Sequence, residues 1–240
     1  LYPDVIKELE QIFDKYTTIY IDWQNVIHWQ DKLGWHISAK RLKQLLDSFD
    51  TVKTVSLYTG TLDGNSKSAE DIKLWSDMGY RVQTKPVKIM HYSINVSSVS
   101  TNSPALLQPF IRKPLLSMLN LETIEYLNSQ LAKLNKQGII ELEDKKCNFD
   151  VEIGRDIFLD LLAGDGTTNC FILWSGDSDF ADPMNAVMTN KKKAFLFATS
   201  GKISTELSEL KIPVFEIKKI KEFICFPKEL PQSLKDKIGL

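Results

Sequence analysis

The length, composition and charge of the chain limit the classes of protein to which it can belong. Its 240 residues are 43% hydrophobic and 25% charged, which is near the globular average and argues against a disordered chain. No apolar run approaches the roughly 20 residues that span a bilayer. The net charge of -1 neither supports nor excludes binding to nucleic acid. We therefore expect a globular, cytoplasmic protein without a membrane span.

The first 90 residues alternate predicted strands with predicted helices. Residues 17–22 are β-branched or aromatic and end in a carboxylate, as expected of a buried parallel strand. Ser38 is a candidate N-cap for a helix with leucines at helical spacing. The other predicted elements are a strand at 51–58, a helix at 67–78 and a strand at 80–84.

The same alternation returns after residue 170. The predicted elements there are a strand at 170–174, a helix at 180–189, a strand at 194–198, a helix at 203–210 and a strand at 214–217. Strands that alternate with helices of this length predict a mainly parallel sheet with helices on both faces. The predicted fold class is therefore a three-layer α/β/α fold.

Residues 90–145 interrupt the alternation. They contain a Ser/Asn-rich stretch, three prolines and a helical pattern at 121–134, without a strand signal. We predict one domain over 1–240, with an inserted, partly helical subdomain here and a C-terminal extension over about 218–240. Its tail after Phe226 is predicted to be a weakly ordered extension or a partner-binding segment. The insertion is where we expect substrate selection, a protein partner or a homo-oligomer contact.

Three acidic motifs fall where the carboxyl ends of the predicted parallel strands meet, which is where ligands bind in such sheets. Their acidic and amide residues are Asp22 and Asn25, then Asp150, then Asp177 and Asp179. Each residue alone is more often a turn residue or a helix cap. Together, carboxylates crowded at one edge repel one another, and a hard cation such as Mg²⁺ or Mn²⁺ relieves that repulsion.

The order of these motifs resembles the NYN domain, the PIN-like group of metal-dependent ribonucleases. The matching segments are IDWQNV at 21–26, FDVEIGRD at 149–156 and WSGDSDF at 174–180. The likeness covers about residues 17–88 and 147–217. It implies a PIN-like fold and a nuclease that hydrolyses RNA phosphodiester bonds with metal-activated water, DNA not being excluded. The long insertion and the Trp23-Gln24 pair between Asp22 and Asn25 depart from the family and leave the substrate open.

The resemblance also implies residue roles. The acidic cluster that holds Mg²⁺ or Mn²⁺ matches four aspartates: Asp22, Asp150, Asp177 and Asp179. The amide beside it is Asn25, which would orient a carboxylate, water or phosphate. Secondary candidates are Ser175, Asp156 and Asp182. Asp156 lies about 240° around a helix from Asp150, so these two residues cannot share a helix face.

A lysine cluster and a tryptophan are candidate contacts to nucleic acid. The cluster is Lys191, Lys192 and Lys193, and Trp23 lies beside Asp22, where it could stack on an unpaired base. The alternative interpretations are ordinary solvated lysines and a tryptophan in the core.

Three other functions are weighed against the nuclease. A non-catalytic adaptor with the same fold would bind RNA or a protein but would gain nothing from a costly carboxylate cluster. A phosphatase with a nucleophilic Asp22 usually has a second Asp two residues later, where this chain has Gln24. A dinucleotide-binding enzyme would need a Gly-rich turn after a strand, and no such motif is present.

Overall fold

A six-stranded parallel sheet is the framework of the protein. The structure is a computed structural model that describes residues 2–62, 66–163, 168–199 and 201–226. Its strands are β1 (Thr17–Asp22), β2 (Val52–Thr61), β3 (Arg81–Pro86), β4 (Lys88–Ser93), β5 (Glu141–Lys146), β6 (Cys170–Trp174), β7 (Lys193–Ala198) and β8 (Val214–Glu216). The main sheet has the order β3-β2-β1-β6-β7-β8, with every neighbouring pair parallel.

Helices connect these strands. They are α1 (Tyr2–Ile12), α2 (Trp23–Leu33), α3 (Ala39–Asp47), α4 (Ser66–Asp77), α5 (Lys113–Leu116), α6 (Leu121–Lys136), α7 (Asp150–Leu162), α8 (Ala181–Thr189), α9 (Thr205–Glu209) and α10 (Lys221–Ile224). The predicted cap is present, since the Ser38 hydroxyl accepts a hydrogen bond from the amide of Arg41 at 3.2 Å. Within the described ranges, no helix has both the length and the apolar character to cross a membrane, and the cytoplasmic location stays a prediction.

The strand order creates a switch point beside β1. The chain runs outward from β1 through β2 to β3, and it later returns to the other side of β1 with β6, β7 and β8. Ile21 of β1 pairs with Trp174 of β6, so Asp22 and Ser175 leave the sheet side by side. Ligand sites of open parallel sheets form at such a point, outside the carboxyl ends of the strands.

Two apolar layers cover the faces of the main sheet. Ile19 and Ile21 pack into one layer, while Tyr20 between them packs into the other, as the alternation of a strand requires. All residues of β1 and β6 are buried, which explains why β6 is a continuous apolar run and why β1 is rich in β-branched and aromatic residues. The predicted α/β fold class, a mainly parallel sheet flanked by helices, is confirmed.

The chain divides into two compact units. The main unit contains residues 1–86 and 147–240, and the middle unit is Val87–Lys146. The prediction that the middle has no strand is wrong, because β4 pairs with β5 in an antiparallel ribbon. The ribbon is mostly exposed and β5 is almost entirely charged, so burial imposes no apolar alternation on its sequence. That this unit selects a substrate or partner stays a prediction.

The segment after β8 differs from the predicted extension. Ile220 and Ile224 are fully buried in the main unit. The amide of Ser38 donates to the carbonyl of Ile224 at 2.8 Å, and the amide of Phe226 donates to the carbonyl of His36 at 2.8 Å. Residues 218–226 therefore pack against the main unit through Ile220, Ile224 and Cys225, whose partners local sequence does not reveal. The remainder of the predicted extension, 227–240, lies outside the described residues.

Candidate functional site

Asp22 lies at the switch point and is held by Asn25. The Asp22 carboxylate is 5% exposed and caps the first turn of α2, accepting from the amide of Asn25 at 3.4 Å. The side-chain Nδ2 of Asn25 donates to Asp22 Oδ2 at 2.5 Å and to Ser175 Oγ at 2.9 Å. Asn25 thus links the carboxyl ends of β1 and β6 and fixes the orientation of Asp22.

The turn after β6 carries the second pair of carboxylates. The buried Ser175 hydroxyl accepts from the amide of Asp177 at 3.3 Å, and Asp177 in turn accepts from the amide of Asp179 at 3.5 Å. Both Asp177 and Asp179 are exposed. Ser175 therefore positions the turn and Asn25 rather than acting as an exposed group.

Asp150 reaches the same turn from a distant part of the chain. It opens α7, and its amide donates to Asn148 Oδ1 at 2.7 Å. Burial raises the pKa of Asp150 to about 6; the hydrogen bond with Asn148 opposes this, whereas a hydrogen bond with Asp179 and the charges of Asp177 and Asp179 add to it. Asp177 and Asp179 therefore lie close enough to Asp150 for their charges to disfavour its ionisation.

Asp22 is electrostatically coupled to the same group. Burial raises the pKa of Asp22, hydrogen bonds from Asn25 and the amide of Gln24 oppose the rise, and the charge of Asp177 adds to it. The structure therefore brings all three acidic motifs to one edge of the sheet. Neighbouring carboxylates repel one another unless a proton or a cation neutralises their charge.

The grouping of the acidic residues and their donor chemistry differ in how well they fit a divalent cation. In the part of the chain that the structure describes, no three His, Cys, Asp or Glu side chains form a group that could hold a metal ion. The chemistry of the donors nevertheless fits Mg²⁺ or Mn²⁺, because carboxylate oxygens are hard ligands and the charges of Asp177 and Asp179 help to raise the pKa of Asp150. The complete four-aspartate ligand set stays a prediction.

Two secondary candidates are not part of this cluster. Asp156 is 1% exposed and accepts from Arg155 at 2.7 Å and from the Tyr58 hydroxyl at 2.9 Å. The helical rotation between positions 150 and 156 turns it toward β2, so this secondary candidate is a buried partner of Tyr58 and Arg155 rather than a member of the acidic cluster. Asp182 is exposed in the first turn of α8, where a carboxylate favours the helix dipole.

The predicted lysine cluster lies away from the acidic site. Lys191, Lys192 and Lys193 lead into the amino end of β7, at the edge of the sheet opposite the aspartates. Lys192 donates to the carbonyl of Thr168, and Lys193 pairs with Asp14 at 2.6 Å. The cluster is therefore not part of the candidate site, and nucleic-acid binding through it stays a prediction.

Trp23 is a core residue more than an exposed platform. It is 6% exposed and meets Trp75 edge to face, with ring centroids 5.4 Å apart. The core interpretation of Trp23 is thus supported over stacking on a base from open solvent.

Lys85 is a residue of this region that sequence reasoning missed. It lies at the carboxyl end of β3, where its ammonium donates to both carboxylate oxygens of Glu152 at 2.9 and 2.8 Å. The same ammonium is 4.7 Å from the centre of the Phe149 ring. The rule that located Asp22, a polar residue at the carboxyl end of a predicted parallel strand, would also have located Lys85.

We expect Asn25→Ala to reduce any activity of this site and to shift its pH dependence. The side-chain hydrogen bond of Asn25 lowers the pKa of Asp22, so its loss raises that pKa and moves the acidic limb of the pH profile to higher pH. We expect a loss of about 10- to 100-fold at neutral pH. Ser175→Ala is the matched control, since it leaves the bond from Asn25 to Asp22 in place. Equal pH profiles for Asn25→Ala and the parent would contradict the role of Asn25.

Comparison with known proteins agrees with the motifs. The NYN domain model matches residues 115–212, which includes the second and third acidic motifs and begins inside the middle unit. A solved structure of a protein of unknown function from Vibrio parahaemolyticus is 14% identical, with a TM-score of 0.52 over 88% of this chain and 95% of that chain. At this identity the likeness concerns the fold alone. No curated protein matches the chain. The resemblance to the NYN domain family that the acidic motifs predicted is therefore confirmed.

Proposed function

We propose that the protein is a metal-dependent nuclease that hydrolyses RNA phosphodiester bonds. The observation that carries this proposal is the approach of three remote acidic motifs at the switch point. The charges of Asp177 and Asp179 help to raise the pKa of Asp150, and the charge of Asp177 helps to raise the pKa of Asp22. Carboxylates crowded in this way repel one another, and a divalent cation that relieves the repulsion can also act on a phosphate group.

Four residues would hold the cation: Asp22, Asp150, Asp177 and Asp179. When bound there, Mg²⁺ or Mn²⁺ supplies activation of the attacking water and neutralisation of charge on the phosphate. The chain itself orients Asp22 through Asn25, and Ser175 holds both Asn25 and the turn that carries Asp177.

A second candidate is an adaptor of the same fold that binds RNA or a protein without cleaving. It is favoured by one observation: the described residues contain no group of three side chains ready to hold a metal. The adaptor would need no cation, and its binding would survive chelation. The two candidates therefore differ in their dependence on metal.

A cleavage assay separates the two candidates. We expect the protein to shorten single-stranded RNAs from a labelled RNA and DNA panel in Mn²⁺ or Mg²⁺, and to lose that activity in EDTA. Asp22→Asn should abolish cleavage, whereas Asp182→Asn, an exposed aspartate outside the cluster, should retain it. Binding of RNA without cleavage in either metal would support the adaptor and contradict the nuclease.

A further inference from the structure

A cavity of about 400 Å³ opens beside the acidic site, in a part of the main unit without an assigned role. It is formed by α2, α4 and the carboxyl end of β2, and Trp23, Trp75 and Asp71 line it. Its volume lies within the usual range for pockets that bind small molecules or parts of larger ligands. Trp23 directly follows Asp22, so the cavity is one residue from the proposed cleavage site.

The walls of the cavity combine flat apolar surfaces with polar groups. Trp23 and Trp75 form adjacent walls with an interplanar angle of 61°. Trp75 is only partly buried, whereas Trp23 is 6% exposed, so Trp75 is the more accessible of the two side chains. Ile27 and Ile72 complete the apolar lining. Such a slot suits a planar aromatic ligand that stacks on an indole.

Asp71 is the acidic residue among those that line the cavity. It is half-buried in the cavity wall, and no hydrogen bond or ion pair joins its carboxylate to another described residue. An ionised carboxylate only accepts hydrogen bonds, and it is best satisfied by two adjacent N–H donors. Among the four RNA bases, guanine alone presents two such donors side by side on its Watson–Crick edge, at N1 and N2.

We infer that this cavity binds one unpaired guanine base of an RNA, with its ring against Trp75 and its Watson–Crick edge on Asp71. The inference rests on the proposed function, because it places a nucleotide of the substrate next to Asp22. Single-stranded RNA is recognised in this way, by stacking of a splayed base and by hydrogen bonds to its edge. The cavity thereby gives the nuclease a preference for cleavage near unpaired guanines.

Fluorine NMR of the full chain labelled with 5-fluorotryptophan tests the cavity directly. The chain has five tryptophans, and single Trp→Phe variants assign their resonances. Guanosine, adenosine, cytidine and uridine 5′-monophosphates are titrated in EDTA, so that binding is measured without cleavage. We expect the guanine nucleotide to shift the Trp23 and Trp75 resonances and to bind at least about fivefold more tightly than the other three.

Substitutions on α4 provide matched controls. Asp71→Asn should remove the preference for guanine, and Trp75→Ala should weaken binding of all four nucleotides by about 10-fold. Glu70 and Leu74 are neighbouring exposed residues. The control variants Glu70→Gln and Leu74→Ala should change neither the preference for guanine nor the affinity for the nucleotides. The isosteric Asp71→Asn decides the question if the tryptophan variant does not fold.

The possible results test the guanine site and the proposed nuclease function independently. Equal affinity for the four nucleotides, an unchanged preference in Asp71→Asn, or shifts that omit Trp75 would each overturn the guanine site. Metal-dependent cleavage without nucleotide binding would also overturn it while leaving the proposed function intact. Selective binding of the guanine nucleotide without cleavage in any metal would support the cavity and contradict the nuclease.

Discussion

Asp150→Asn is expected to lower nuclease activity by at least about 100-fold while the protein remains folded. Asn is nearly the same size as Asp, but it cannot supply an anionic ligand. The variant should therefore gain less thermal stability from added Mn²⁺ than the parent, because the stabilisation by a ligand follows its affinity for the folded state. Melting curves with and without Mn²⁺, together with the cleavage assay, measure both effects. Full activity in a folded Asp150→Asn protein would remove Asp150 from the site.

The same substitution has an expected signature in the pH dependence of stability. The pKa of Asp150 is raised to about 6 from an ordinary value of 3.8, so the folded state holds a proton that the unfolded state releases first. The parent should therefore lose stability as pH rises from about 4 to about 6, and this loss should be absent in Asp150→Asn. At pH 8 without metal, the variant should be as stable as the parent or more stable. A stability loss at every pH would instead indicate a purely structural Asp150.

Gly176→Ala is expected to have the largest effect on the fold around the site. An added Cβ at position 176 would overlap the carbonyl oxygen of Lys202 and would lie 2.9 Å from its carbonyl carbon and 3.3 Å from Ile203 Cα. These are backbone atoms, so relief requires movement of a main-chain segment rather than of a flexible side chain. The amide of Ser204 also donates to the carbonyl of Gly176 at 2.9 Å. We expect a loss of about 1–3 kcal/mol in the free energy of unfolding, with displacement of Asp177 and Asp179.

Gly154→Ala is the matched control for that experiment. Gly154 lies in the middle of α7, and its added Cβ would meet only Cγ of Pro183 at 3.4 Å. Because glycine is unfavourable inside a helix, this change should be neutral or should stabilise the protein by up to about 1 kcal/mol. Urea unfolding of the two variants measures the contrast. Equal stability of Gly176→Ala and the parent would show that the segment after β7 does not constrain the turn.

Local sequence was sufficient for the elements of the main sheet. β1 and β6 begin and end at the residues predicted for them, because strands buried on both faces favour runs of β-branched, aromatic and other apolar residues. Ser38 was likewise predictable as a cap from its residue type and the leucine spacing that follows it. The exposed ribbon of β4 and β5 escaped prediction, since its pairing leaves most of its side chains in water.

Some residues of the acidic site could be predicted from the sequence, whereas the role of others required the structure. Residue types and strand ends were enough to nominate Asp22 and Asp177, because the carboxyl ends of parallel strands meet at one edge of the sheet. Asp150 opens α7 and follows no strand of the main sheet, so its nomination depended on its acidic motif and on the family resemblance. The sequence could not exclude Asp156, although it showed that Asp156 and Asp150 face different ways. Only the packed structure pairs Asp156 with Arg155 and Tyr58.

The sequence by itself determined the α/β class, the family resemblance and the identity of the acidic motifs, because these depend on local periodicity and on residue type. Tertiary structure decided which groups become neighbours. It placed Lys191–Lys193 at the opposite edge from Asp22, packed Ile220 and Ile224 into the core, and formed the Trp75–Asp71 cavity from α2, α4 and β2. Such proximities depend on strand order and helix packing between residues distant along the chain, which local propensities do not encode.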